Sequence, residues 1–493
     1  VKNKAVIKHI SLLGLFFILV AFKWFRFEML AYTIDDFCNN LEGTYSWLLG
    51  RPVTWGNGFG QMILAHNYYL MPALAPITYF FGAKGILFFY CSLLLVSWYS
   101  YFKVFDFFNR NHLFLFFLLF FSATSFWLLD HPSVGWSMEL FYLPFSVLLS
   151  SSLIQKNNKQ AIFYFIVLCL VREEGMLLAF AIYITHYILE NRLFLIYDIL
   201  RNKKIIFTTV AFLAVFIANF LLLQHRGSTD SFLVKTSNNI TEYIFTKEFI
   251  FHNLKWVSQS LLLLFPLLLL VAILVPNFIK TTRIPLLVLL FFIGITFVQG
   301  ATYFDRPYIR EGVSLTWAPR FILPYSYLLA VVLLYTYKYK LSLETIWVKK
   351  KIAIGLILIY FINFPLISSI RQDVSYSKII KSIIRNSPQV DIPELLKADD
   401  IKQLRQLELQ LPERSNVYAF DYVIPIFLNH FIVWPYGREY EKADLAILPQ
   451  DARFEELYSR LPLVMKENYE EIGKLGSYTL YASPDYKKII HLK

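Results

Sequence analysis

Two adjacent carboxylates, Asp35 and Asp36, follow the first long apolar run in the stretch AYTIDDFCNN. A carboxylate held in a cleft can take the proton of an acceptor hydroxyl, and a like-charged neighbour can orient it or raise its proton affinity. The same pair could instead solvate a helix end, or cap a helix formed by NNLEGTYSWLL. A second stretch, VREEG, sets Arg172, Glu173 and Glu174 at the tip of an apolar hairpin. Such charges are either functional or the ordinary solvation of a wet turn. A third stretch, DRPYIREGVSLTWAPRF, carries Arg306, Arg310 and Arg320. The planar fork of arginine grips phosphate through two parallel charge-assisted hydrogen bonds, and the headgroups of membrane lipids would use the same charge. His66 and Tyr68 lie in HNYYL, downstream of Trp47, Trp55 and the glycine-rich GNGFG. Aromatic faces of this kind suit sugar rings or a membrane interface. His66, His131 and Glu139 show no metal-ligand spacing and read as helix-end contacts, so no metal site is assigned.

The elements that must position these residues follow from composition. The 493 residues are 57% hydrophobic, 18% aromatic and only 17% charged, with a mean hydropathy of +0.50. A soluble domain carries nearer a quarter charged residues, so the class is a polytopic α-helical membrane protein. The formal net charge of +12 could indicate nucleic acid. The basic residues sit in short loops between apolar runs, where they orient helices, and no basic stripe with stacking aromatics exists; nucleic acid is excluded as a partner. Cys38, Cys91 and Cys169 are too far apart for a CxxC motif, and neither a disulfide framework nor a structural zinc is expected. The first apolar run lacks a small-residue cleavage site and reads as a retained helix.

Runs of about 18–22 apolar residues predict about eleven spans, with cores near 9–29, 82–103, 112–129, 135–154, 160–172, 174–190, 204–223, 254–276, 284–301, 319–338 and 351–370. Lys and Arg concentrate in alternate loops, among them Lys2 to Lys8, Lys103 and Arg110, Lys156 and Lys159, Arg192 to Lys204, Lys280 and Arg283, and Lys338 to Lys351. The positive-inside rule makes those loops cytoplasmic. The N-terminus is then cytoplasmic and every polar cluster of interest external, including a long first external loop of about residues 30–81. From residue 371 to 493 the apolar spans stop. SNVYAFDYVIPIF, HFIVWP, KADLAIL and GSYTLYAS read as short strands, and IPELLKADDIKQLRQLELQLP as an amphipathic helix. Two domains are expected: residues 1–370 in the membrane and 371–493 as a small extracytoplasmic α/β unit. NNIT at 238–241 matches a glycosylation acceptor, relevant only in a eukaryotic secretory host.

A helix, an acidic pair at its external exit, a long amphipathic first loop, many spans and an external soluble domain together resemble the GT-C class of membrane glycosyltransferases. TIDDF is similar to the acidic motif of that class, and WAPRFILP to an arginine-bearing late-helix segment of bacterial members. HNYYLMPALAP, VREEG and KADLAIL look similar to a little-characterised bacterial branch. The resemblance implies an inverting transfer from a polyprenyl-phosphate-linked sugar donor to a glycan, lipid or protein acceptor. Asp36 or Asp35 would be the base and the arginines would hold the donor phosphate, in a bacterial inner membrane. No nucleotide need bind, and the acidic residues would permit a divalent metal. The rival readings are a transporter or flippase for a lipid-linked or anionic solute, and a non-catalytic envelope-assembly scaffold. The first predicts midplane charges on broken, repeat-related helices, which the sequence does not show.

Overall fold

The computed structural model describes residues 2–28, 34–53, 55–56, 60–61, 66, 68–104, 136–193, 196–225, 232–258, 293–298, 300–301, 304, 322–338, 398–412, 415–419, 423–427, 430–433, 443–450 and 469–487. Helix α1 (Lys2–Glu28) leads into α2 (Ile34–Tyr45), a strand pair β1 (Trp55–Gly56) and β2 (Gly60–Gln61), and then α3 (Ala75–Val104). After these come α4 (Tyr142–Ile154), α5 (Asn158–Val171), α6 (Glu173–Asn191), α7 (Lys203–His225), α8 (Phe232–Tyr243) and α9 (Ile322–Lys338). The expected spans at 9–29, 135–154, 160–172, 174–190, 204–223 and 319–338 fall on these helices. Those at 112–129 and 351–370 lie outside the described residues, and 254–276 and 284–301 do so for most of their length.

The backbone of α3 breaks at Gly82, whose φ of 57° and ψ of −151° are open to glycine and costly for other residues. The long straight stretch therefore begins at Ala83, next to the start predicted from hydropathy. Among the described residues, Met71–Tyr101 and Lys203–Leu222 are long and apolar enough to cross a membrane. Their outer faces carry large exposed apolar groups, including Phe80, Phe81, Phe207, Val210 and Leu221. Such a belt is unfavourable in water and at home in lipid.

Helix α4 is buried along its whole length, as expected of a helix that is apolar all round. It packs against α3, α5, α6 and α9 and forms the centre of the bundle. Ser146, Ser150, Ser151 and Ser152 are buried on it; small side chains let neighbouring backbones approach closely. Thr185 of α6 and Tyr327 of α9 share a hydrogen bond of 3.0 Å inside the bundle.

All four segments read as strands form them. Beyond α10 (Ala398–Glu408) come β3 (Asn416–Ala419), β4 (Phe431–Val433), β5 (Leu445–Pro449), β6 (Glu470–Leu475) and β7 (Tyr478–Ala482), in the order β4-β3-β5-β7-β6. Strand β3 runs parallel to β4 and β5, and β7 antiparallel to β5 and β6. Strand β6 is an addition to the sequence reading. Its EEIGKL stretch is too polar for a strand signal, because β6 is an exposed edge whose pairing comes from β7. Asp444 accepts hydrogen bonds from the Asn416 backbone (2.6 Å) and side-chain amides (3.0 Å), pinning β3 to β5.

Candidate active site

The geometry begins with a break between two helices. Arg172 has extended backbone (φ −168°, ψ 168°), which ends α5 and starts α6. Glu173 and Glu174 then fill the first turn of α6, where unpaired amides and the helix dipole favour carboxylates. Gly175 follows for a steric reason. A Cβ there would lie 2.0 Å from the Leu168 carbonyl oxygen, so only glycine lets α6 cross α5 this closely. The VREEG tip is therefore a packed corner. Glu173, Glu174 and Arg172 are 0, 3 and 8% exposed, which corrects the wet-turn alternative.

Three other segments deliver partners to this corner. The loop after β2 brings His66 and Tyr68, and is tied to the end of α5 by Leu70 N–H donating to the Leu170 carbonyl at 2.9 Å. The 3-10 turn Met138–Phe141 brings Glu139, and the start of α4 brings Tyr142. Arg172 donates to Glu139 and lies 3.3 Å from Glu174 and 3.9 Å from Glu173. Tyr68 donates to Glu139 at 3.1 Å and Tyr142 to Glu174 at 3.0 Å. The guanidinium also lies 5.8 Å from the Tyr68 ring centre, within reach of a cation–π contact.

His66 has its tautomer set by its neighbours. Nδ1 is 2.9 Å from a Glu173 oxygen, which can only accept while ionised, so Nδ1 carries the proton. Nε2 is then the acceptor facing an Arg172 N–H at 3.4 Å. Burial, reinforced by the Arg172 charge, pushes the imidazole below its ordinary pKa against the opposing pull of Glu173. His66 is neutral at pH 7. The network thus sets three carboxyl groups around one guanidinium, with the His66 and Glu139 side chains 21 and 18% exposed at its edge. Such a site offers hydroxyl groups several fixed acceptors and turns away further anions. Among the described residues, no three His, Cys, Asp or Glu side chains are arranged to hold a metal ion.

Asp35 and Asp36 lie in the first turn of α2, inside the helix, and so do not cap a later one. Helix α2 packs against α3 and against the 3-10 turn Met71–Leu74, which directly follows the His66–Leu70 segment. The acidic pair and the Arg172 network therefore belong to the same end of the bundle. Arg306, Arg310, Arg320 and His131 lie outside the described residues. The segment entering the arginine loop is anchored, since Asn239 donates to the Ala301 carbonyl at 2.8 Å and His252 Nε2 lies 3.0 Å from that of Gly300. Asn239 is the asparagine of the glycosylation motif. It is 4% exposed and engaged within α8, which is no place for a glycan acceptor.

Residue type and spacing mark His66 and Glu139 only weakly, and the fold brings both to Arg172 and its neighbours. Tyr142 gave no signal beyond its spacing of three residues from Glu139, which places the two near one another on a helical turn. What joins them is Arg172, 33 residues from Glu139 and 106 from His66.

The described residues form a helix bundle, with two helices long and apolar enough to cross a membrane and a small sheet at one end. Two solved structures share that fold. They are ArnT from Cupriavidus metallidurans in the apo state (13% identity, TM-score 0.52, covering 96% of this chain and 98% of that one) and the same protein bound to undecaprenyl phosphate (13% identity, TM-score 0.51, covering 95 and 97%). The likeness is one of fold, and it agrees with the helical membrane architecture with a small C-terminal sheet expected from the sequence. No protein-family profile and no curated protein matches the chain.

Proposed function

We propose that this protein is a GT-C glycosyltransferase that moves a sugar from a polyprenyl-phosphate-linked donor to an envelope acceptor on the external face of a bacterial inner membrane. The observation that carries this reading is the likeness in fold, over nearly the whole chain, to a protein solved with undecaprenyl phosphate bound. The buried polar network supports it, because it stands at the end of the bundle that bears the acidic pair.

In this mechanism the carboxylate of Asp36, or of Asp35, takes the proton of an acceptor hydroxyl. The oxygen attacks the anomeric carbon from the face opposite the phosphate, so configuration inverts. The bond between that carbon and the phosphate oxygen breaks, and polyprenyl phosphate leaves with the electron pair. Arg306, Arg310 and Arg320 meet the charge that develops on the phosphate. His66, Tyr68 and the carboxylates around Arg172 bind hydroxyl groups of the donor sugar. The N-terminus is cytoplasmic, about eleven helices span the bilayer, and residues 371–493 form the external domain.

The test is release of undecaprenyl phosphate by the purified protein from a panel of undecaprenyl-phosphate-linked hexoses and pentoses. Asp36→Asn keeps size while removing proton acceptance, and turnover should fall about 10²-fold or more. Wild-type turnover in both Asp35→Asn and Asp36→Asn would return the pair to a solvating role. For the phosphate site, Arg320→Lys keeps the charge but loses the two-pronged geometry, so donor affinity should drop. Wild-type affinity in both Arg320→Lys and Arg320→Ala would remove Arg320 from the site.

A further inference from the structure

The sheet unit grips the helix bundle next to the acidic pair. Glu28 ends α1, six residues before Ile34, where α2 begins. Its carboxylate pairs on one side with Lys84, in the first turn beyond the Gly82 break, and on the other with Arg405 of α10. Arg405 uses its fork fully. One nitrogen pairs with the Glu28 carboxylate and the other donates to the Glu28 backbone carbonyl at 3.0 Å. The carbonyl is one that the end of α1 leaves without an intrahelical partner. Trp24 completes the cluster, donating its indole N–H to the Lys84 carbonyl at 3.1 Å, with the Lys84 ammonium 6.0 Å from its ring.

The grip is transmitted by packing. Phe27, beside Glu28, sets its ring 6.0 Å from that of Phe37, which is fully buried and adjacent to Asp36. The sheet unit also touches α2 directly, through the 3-10 turn Ile424–Ile426, and α10 packs on that same turn. The unit therefore holds both flanks of the segment that carries Asp35 and Asp36. It reaches the α1 exit through Arg405 and the body of α2 through Ile424–Ile426.

We propose that Arg405 is a positioning residue, and that the C-terminal unit serves the reaction by clamping the α1 exit so that α2 presents its acidic pair in one place. This rests on the transferase reading above, and the link itself is measurable without substrate. Lys84 sits on a different helix from Glu28, so the three charges also fix the α1–α3 angle beneath the clamp. The members are each a third to a half exposed, and the expected effects are correspondingly modest.

The experiment is hydrogen exchange of the residue 34–45 amides in the full chain, for wild type, Arg405→Glu, Glu28→Gln and the swap that reverses all three charges, Glu28→Lys with Lys84→Glu and Arg405→Glu. Glu28→Gln leaves the sheet unit's own fold untouched. Both single variants should exchange about fivefold faster in 34–45, the scale of one networked surface ion pair. The swap should restore slow exchange. With the undecaprenyl-phosphate-linked sugar panel, the single variants should lose kcat at unchanged donor KM. Unchanged exchange in both single variants overturns the proposal, as does a swap that stays as loose as Arg405→Glu. Faster exchange in a chain whose wild type releases no undecaprenyl phosphate supports the clamp and refutes only the transferase reading.

Discussion

Arg172 is the only cation that contacts Glu139, Glu173 and Glu174 among the described ion pairs. Its removal leaves buried carboxylates facing one another, and taking one partner from a buried ion pair typically costs about 3–5 kcal/mol. Arg172→Met should therefore lower the melting temperature in detergent far more than Glu139→Gln, which keeps a hydrogen-bonding side chain in place. Equal, small shifts would show that the corner is wetter than its burial implies. His66 makes a separate, pH-dependent contribution. Its folded pKa lies below the ordinary value of about 6.5, so the unfolded chain binds the extra proton more readily. The stability it adds is complete above about pH 6.5 and is lost as pH falls through the folded value. His66→Asn retains a donor for Glu173 but does not titrate, so it should flatten this part of the profile. The check is thermal unfolding of both proteins between about pH 7.5 and 5; parallel curves would contradict the assignment.

At the scale of elements, the corner depends on how closely α5 and α6 cross. In Gly175→Ala the added methyl would press on the Leu168 carbonyl and sit 3.1 Å from the Tyr142 ring. The helices would have to separate at the point where Glu173 and Glu174 enter the network. Overpacking of this kind costs about 1–3 kcal/mol, and turnover should fall along with stability because the carboxylates move. A Gly175→Ala protein with the melting temperature and turnover of wild type would show that the crossing has slack. Helix α2 sets a comparable constraint. Arg51 donates to Glu42 at 2.8 Å, folding the loop back onto the helix whose first turn carries the acidic pair.

At the scale of the whole molecule, the alternation of basic loops predicts a cytoplasmic N-terminus and an external C-terminus. A reporter fused after Lys493 and active only in the cytoplasm should stay silent. A strong signal there would change the number of spans by one and move the candidate site to the other side. The structure adds a geometric condition to that test. The sheet unit touches the bundle at Glu28, at the end where α1 finishes and α6 begins, so sheet, acidic pair and Arg172 network must share one side.

How much was legible follows from the range of each interaction. Apolar runs of bilayer length are local properties, and among the described residues they mark α1, α4, α5, α6, α7 and α9, the Gly82 start of α3 and the hairpin at Arg172. Period-two patterning likewise revealed four of the five strands of the C-terminal sheet, and missed β6 because an exposed edge has no apolar face to show. The residue types also marked Arg172, Glu173, Glu174, His66 and Tyr68 as candidates. What they could not disclose was that these five meet, or that Glu139 and Tyr142 join them. Those contacts bridge 32 to 107 residues and leave no period, spacing or composition in the chain. The protonated nitrogen of His66, the burial of VREEG and the hold of Arg405 on Glu28 were decided by tertiary structure alone. The first two follow from the packing of α4, α5 and α6, and the third from the seating of α10 on the end of α1; each depends on groups that are distant in sequence and meet only in the folded chain.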